Sequence, residues 1–399
     1  MRKPYNPKVA TWLSLALLPL SGLATDIYIP SMPEMAKSFA VSNLQVQLTL
    51  GFFIISYGLT QLFVGSLLDS FGRYTLSLVG LTVFMFSNII IAWSEAIEMI
   101  YLMRILQGIS VAIVVVAKRA FFIDIYTGKQ LANYLSLFTI IWSAGPIFAP
   151  FLGGLLEVEL GWRGSFYFLF LYAAIIIALE LRYSGETIRI RSQFNFRQIM
   201  LTYYSMIKAK DFLMGITMLC LAYSMIMIYN LTGAFILANQ YHQDPIAIGN
   251  CSLLMGVAWL TGGLIGRVTV HHPFFKKMTV NILLQFALAL AMVAGIKVGG
   301  NMYLVIGFAF AIHAAAGYTY NNYFGRCLSR FPEHAGTSGG LTGGIVNMVM
   351  FSITYLLVAH LPAASSQYLS QAYLMLTTFS LLVMVYVLKL NRSTASQGT

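Results

Sequence analysis

Residues 97–118 read IEMIYLMRILQGISVAIVVVAK. At 1.5 Å per residue this stretch is about 33 Å long, enough to cross the hydrocarbon core of a bilayer. It is apolar on every side, so it is not a surface helix with one wet face. Backbone polar groups in lipid must be satisfied within the segment, which makes it a helix. One cation, Arg104, interrupts it, followed by Gln107 and Gly108. A charge at that depth has to face protein or a water-filled cavity, or else snorkel to the headgroups.

Eleven further apolar segments of spanning length flank this one. With it, the first six cover residues 10–30, 45–68, 74–94, 97–118, 131–156 and 163–181. The second six cover 212–238, 247–267, 279–298, 301–324, 336–361 and 367–390. The composition agrees: 58% of the 399 residues are hydrophobic, 9% are charged, and the mean hydropathy is +0.77. A soluble domain carries roughly a quarter charged residues. The N-terminal run follows Arg2, Lys3 and Lys8 and lacks an A-x-A cleavage site, so a retained first helix is expected.

The net charge of +11 is scattered over short loops without a nucleic-acid recognition motif. It marks orientation instead. Arg73, Lys118, Arg119, Lys129, Arg267, Lys276, Lys277, Arg326, Arg330, Lys389 and Arg392 fall on one side. The long polar stretch 182–211, with Arg182, Arg189, Arg191, Arg197, Lys208 and Lys210, falls on that side too. The opposite loops hold Glu34, Lys37, Glu95, Glu98, Glu157, Glu159 and Asp244. Both termini are therefore expected in the cytoplasm.

The expected architecture is all-α, with twelve transmembrane helices in two pseudo-symmetric six-helix bundles. The first covers 1–181, a cytoplasmic linker covers 182–211, and the second bundle covers 212–399. An amphipathic surface helix is expected around Phe194 to Met206. A faint repeat pairs Gly65…Asp69…Gly72-Arg73 with Gly262-Gly263…Gly266-Arg267.

No soluble-enzyme constellation is visible: no P-loop, no H-E-x-x-H and no nucleophile elbow. No catalytic residue, metal ligand or cofactor is expected. Cys220, Cys251 and Cys327 have no metal-ligand spacing and read as packing residues. Energy must then come from an ion gradient or from the substrate's own gradient. Asp26, near the outer end of the first span, is costly to keep charged and so can gain and lose a proton. By helix rise it lies roughly 6 Å from the outer edge and Arg104 roughly 10 Å, so the two are near in depth. Gly145, Pro146, Pro150, Gly153 and Gly154 give the fifth span both bends and close approach. Gly65, Asp69, Gly72 and Arg73 form a tight turn whose charges pair with each other or with a neighbouring helix end. His313 reads as a helix-packing donor.

These motifs together resemble the major facilitator superfamily, and within it the twelve-span drug/proton antiporters of the Bcr/CflA type. The match rests on Gly65, Asp69, Gly72 and Arg73, on Arg104, Gln107 and Gly108, and on Gly145, Pro146, Gly153 and Gly154. Asp26…Pro30…Pro33, Gln61 and Glu186-Thr187 fit as well. Ser70, Tyr74 and Ile123 depart from it, standing where the family has basic residues.

The resemblance implies export of a small molecule, drug-like or metabolic, across the inner membrane in exchange for protons. Asp26 would carry the proton and Arg104 its counter-charge. Substrate would bind between the halves; Tyr28, Trp142, Tyr223, Tyr229, Asn230, Tyr318 and Asn322 are the candidates on apolar helices. The expected partners are substrate, protons and lipid, with a monomeric chain and no nucleic acid. Two alternatives stand: a dedicated exporter or importer of one metabolite such as a siderophore, and a non-transporting membrane sensor or enzyme.

Overall fold

The computed structural model describes residues 6–188, 194–331, 335–361 and 365–396; Arg189 and Arg191 of the basic connection lie outside them. Its described residues are almost entirely helical. The first span is broken: α1 (Pro7–Leu17), α2 (Leu20–Asp26), a short 3-10 turn (Ile29–Ser31) and α3 (Met32–Ser38). Pro19 and Pro30 stand at the breaks, where each removes a backbone donor. Then come α4 (Asn43–Phe71), α5 (Arg73–Trp93), α6 (Ile97–Ile125), α7 (Gly128–Leu160) and α8 (Arg163–Tyr183). A short α9 (Phe196–Ile207) precedes α10 (Lys210–Phe235), which ends in a π turn (Ile236–Gln240). The chain closes with α11 (Pro245–Val268), α12 (Phe274–Lys297), α13 (Met302–Arg330), α14 (Ala335–His360) and α15 (Ser366–Ser396).

Local chemistry fixes several helix starts. Ser42 and Gln45 cap α4 reciprocally: the Gln45 amide donates to Ser42 Oγ (3.3 Å) and the Ser42 amide to Gln45 Oε1 (3.0 Å). Asn301 accepts the Leu304 amide at 2.9 Å to start α13. Gly72, at φ 104°, turns the chain from α4 into α5 in one residue.

Among the described residues, eleven helical stretches are long and apolar enough to cross a membrane by length and composition. With the 33-residue α7, the predicted fifth span, there are twelve. The helices overrun the predicted limits in places. The expected fourth span stops at Lys118, yet α6 continues to Ile125 because Phe121 and Phe122 keep its inner face buried. Lys118 is thus not a loop cation: it is 5% exposed within α6.

The helices form two units: Met1–Ile199 with Asp244–Leu253, and Met200–Gln243 with Leu254–Thr399. Their internal packing repeats. In the first, α5 lies against α6 and α8, α2 against α6 and α7, and α1 against α8. In the second, α12 lies against α13 and α15, and α10 against α13, α14 and α15. These are the same neighbours six spans later, the mark of a duplicated bundle. Close approach repeats as well. A Cβ on Gly108 of α6 would meet the backbone of Phe53 and Tyr57, and one on Gly317 of α13 would meet that of Trp259.

Candidate functional site

In the first unit, Arg104 is the largest wholly buried side chain. Its Nη1 donates to the carbonyl oxygen of Ala24 and to Gln107 Oε1, both at 2.8 Å. Nη2 donates to the Tyr28 hydroxyl and Nε to the Thr49 carbonyl oxygen, both at 3.3 Å. The Thr49 hydroxyl donates to the Val46 carbonyl (2.6 Å), which leaves its oxygen to accept the Tyr28 O–H at 2.9 Å. Gln107 Nε2 passes the chain on to Asn88 Oδ1 (3.0 Å). The Tyr28 and Phe53 rings each lie 4.6 Å from the guanidinium carbon. A cation in a lipid-embedded bundle is thus held by neutral acceptors from α2, from Tyr28 just after it, from α4 and from its own helix.

Asp26 is the last residue of α2 and is 5% exposed. It lies two residues along the chain from Ala24, whose carbonyl oxygen accepts from Arg104.

Glycines set the packing of α2 on α7. A Cβ on Gly145 would lie 2.5 Å from the Pro19 carbonyl oxygen, and one on Gly153 would overlap that of Ile27. From the other side, a Cβ on Gly22 would overlap the Pro146 ring. Gly154 abuts the backbone of Pro245, in the stretch that packs with this unit. Pro146 and Pro150 both lie inside α7 without ending it.

At the α4–α5 turn, Arg73 pairs with Asp69 (2.9 Å) and with Asp124 of α6, and donates to the Ala120 carbonyl (3.0 Å). The Glu186 carboxylate accepts the amides of Arg73 (3.1 Å) and Tyr74 (3.2 Å), satisfying two orphan donors of the α5 N-terminus. Thr187 Oγ1 donates to Asp124 Oδ2 at 2.7 Å. Asp69, Arg73, Asp124, Glu186 and Thr187 are therefore one network. Gly65 has open space beside it.

The remaining candidates are scattered. Tyr28 belongs to the Arg104 network. Trp142 lies in α7, with its side chain outside the described residues. In the second unit, Tyr223 joins Trp259 (5.9 Å between ring centres) and Tyr320 (5.6 Å), and Tyr320 stacks on Phe324 (5.7 Å). All four rings are half-buried. Tyr318, two residues from Tyr320, points elsewhere and hydrogen-bonds Thr269 Oγ1 (2.9 Å). Asn322 donates to its own helix at the Tyr318 carbonyl, and Asn230 is half-buried. Tyr229 packs edge-on against His313, whose Nε2 lies 3.0 Å from both the Met225 carbonyl oxygen and the Tyr373 hydroxyl. Sequence reasoning missed Trp259, Tyr320 and Asn88, and it missed the Lys118–Glu180 pair. A carboxylate in the run Ala173–Glu180 was the available signal for the last. Among the described residues no three His, Cys, Asp or Glu side chains are grouped to hold a metal ion.

The sequence profile described as Major Facilitator Superfamily matches residues 16–355. The chain belongs to this superfamily. Multidrug resistance protein D of Escherichia coli (strain K12) is 29% identical over 187 residues, which is 47% of this chain and 47% of that relative. The chain is 26% identical over 339 residues, 83% of each protein, to a bicyclomycin resistance protein homolog of Haemophilus influenzae. Among solved structures, a point mutant of the nucleoside transporter NupG superposes with a TM-score of 0.73 at 14% identity, covering 96% of this chain and 99% of that one. A D-xylose-proton symporter superposes at 0.70 and 13% identity, covering 94% and 96%. These structural likenesses show the fold. The chain is a multi-pass membrane protein of the Major Facilitator Superfamily with multidrug-resistance relatives, a family of small-molecule transporters.

Proposed function

We propose that this protein is a proton-coupled secondary transporter that exports a small molecule from the cytoplasm by alternating access. It would reside in the inner membrane as a monomer, with both termini cytoplasmic and no cofactor beyond the proton gradient. The observation that carries the reading is the burial of Asp26 at the end of α2, two residues from the carbonyl oxygen that Arg104 holds. Protonation removes a charge from the end of a short helix whose neighbours on α7 are glycines. A helix packed backbone to backbone can shift without side chains in its way. The change in charge and the freedom to move are thus located on one element.

The resistance-protein relatives support export of drug-like compounds or metabolites. Within the second unit, the cluster of Tyr223, Trp259, Tyr320 and Phe324 supplies π faces suited to a planar or cationic ligand. The Asp69, Arg73, Asp124 and Glu186 network would act as a cytoplasmic latch that breaks and reforms during the cycle.

The test is uptake into inverted vesicles of purified protein under an imposed pH gradient. The panel pairs planar aromatic cations such as ethidium with anionic metabolites. Accumulation that collapses on adding a protonophore is expected for at least one compound. Accumulation of none, or accumulation indifferent to the protonophore, overturns the reading.

A further inference from the structure

Lys118 of α6 and Glu180 of α8 form an ion pair, Nζ to Oε2 at 2.8 Å, with side chains 7% and 2% exposed. Removing two charges from water costs several kcal/mol per ion, and an apolar pair of similar volume often serves packing as well or better. Glu180 Oε1 is also buried without a hydrogen-bond partner among the described residues. A carboxylate has about four lone-pair sites, so this oxygen has unused capacity to accept a proton or a water.

The level of the pair in the unit follows from helix rise. The Asn6 amide donates to the Tyr183 carbonyl at 3.0 Å, so the start of α1 and the end of α8 lie together. Glu180 stands three residues, about 5 Å, from that end. Asp26 stands 20 residues beyond Asn6, at the far end of the second of the two helices α1 and α2. Lys118 is 14 residues, about 21 Å, from Arg104 along α6. The pair therefore lies roughly 20 Å from the Asp26–Arg104 level, toward the end that carries Arg73 and Glu186.

Around the pair, α1, α5 and α7 each pack on both α6 and α8, and α4 packs on α6. Buried hydroxyls of Ser14 on α1 and Ser77 on α5 are without partners among the described residues. They lie about 10 Å and 6 Å inside their helix ends. Unsatisfied buried polar atoms at one level are the setting for ordered water. The charged and titratable groups these helices bring to this end are Lys8, Asp69, Arg73, Tyr74, Arg119, Asp124, Tyr126, Lys129, Tyr134, Arg182 and Tyr183, with Glu186 just beyond α8. Tyr74 reaches Glu180, its hydroxyl donating to the main-chain oxygen at 3.3 Å.

We propose that the Lys118–Glu180 pair is a second proton site of this transporter, the station through which a proton released by Asp26 leaves toward the cytoplasmic side. The proposal rests on the proton-coupled reading above. The O–H bond forms at Glu180 Oε1 with a proton delivered through water, and breaks when that proton passes to water at the helix ends. Lys118 Nζ, 2.8 Å away, balances the emptied carboxylate.

The test needs no substrate. Purified protein in liposomes is stepped between pH 8 and pH 5, and the carbonyl stretch of protonated carboxyl groups is followed by infrared difference spectroscopy. The wild type should show a buried-carboxyl band that Glu180→Gln removes and Asp26→Asn leaves. Lys118→Met/Glu180→Leu, an apolar pair expected to fold, should also lack that band. In the double variant, decay of the remaining Asp26 band after a return jump should slow at least about tenfold, the scale of a lost proton-transfer group. A band unchanged in both Glu180 variants overturns the proposal, as does undiminished decay in the double variant. If Asp26→Asn removes no band while Glu180→Gln does, Glu180 stands as a proton site and the assignment of Asp26 fails.

Discussion

Arg104 holds the carbonyl oxygen of Ala24 at 2.8 Å, tying the middle of the bundle to the short helix that ends in Asp26. The guanidinium serves four acceptors in different directions, which one ammonium on a flexible stem cannot do. Arg104→Lys should therefore keep the charge and lose transport by more than tenfold. Arg104→Ala should also lower stability, roughly 1–3 kcal/mol for each buried polar group it strands. Thermal unfolding in detergent, read beside transport, separates the two effects. Wild-type transport in Arg104→Lys would mean that charge alone suffices.

The glycines divide into two groups with opposite expectations. Gly145 faces the Pro19 carbonyl oxygen at a distance no methyl group tolerates, whereas Gly65 has open space. Gly145→Ala should destabilise by about 1–3 kcal/mol and Gly145→Leu should stop turnover. Gly65→Ala should be neutral, or stabilising by about 0.5 kcal/mol through helix propensity. Unfolding midpoints of the matched alanine variants decide this, and equal midpoints would show that α2 and α7 have slack.

The spans were legible because lipid forces every backbone group into a helix, so an apolar window of about 20 residues has one reading. Their ends were not, because α6 and α13 run past the apolar windows on faces packed against protein, as Phe121, Phe122 and Cys327 show. Arg104 and Gln107 stood out as polar residues in an apolar run. Their partners did not: a carbonyl oxygen at Ala24 leaves no trace in side-chain chemistry. Tyr318 and Tyr320 show the limit of counting aromatics. Two residues apart on a helix, they face nearly opposite directions, and the phase that puts Tyr320 beside Trp259 comes from packing.

Orientation can be checked directly. In a chain with Cys220, Cys251 and Cys327 replaced by alanine, single cysteines are placed at the exposed positions Lys129, Lys208, Glu95 and Asp244. The first two should react with a membrane-impermeant maleimide only in inverted vesicles, and the last two only in intact cells. The reverse pattern would place both termini outside, against the lysine and arginine asymmetry.

The last expectation concerns coupling. Asp26 closes α2, buried, next to a network in which Arg104 is already hydrogen-bonded to neutral acceptors. Those four acceptors stay neutral whatever the charge on Asp26, so a change of charge at the carboxyl leaves them in place. Asp26→Asn keeps the shape but cannot exchange a proton. It should abolish accumulation driven by a pH gradient while sparing substrate exchange at equal pH on both sides. Asp26→Glu should retain part of the driven transport with a displaced pH profile, because the carboxyl moves by one methylene. The direct measurement is proton release on adding substrate to purified protein in weak buffer, using a compound identified in the vesicle screen. Wild type should release protons, Asp26→Glu fewer, and Asp26→Asn none. If Asp26→Asn releases them as wild type does, the coupling proton is carried elsewhere, and the Lys118–Glu180 pair becomes the first place to look.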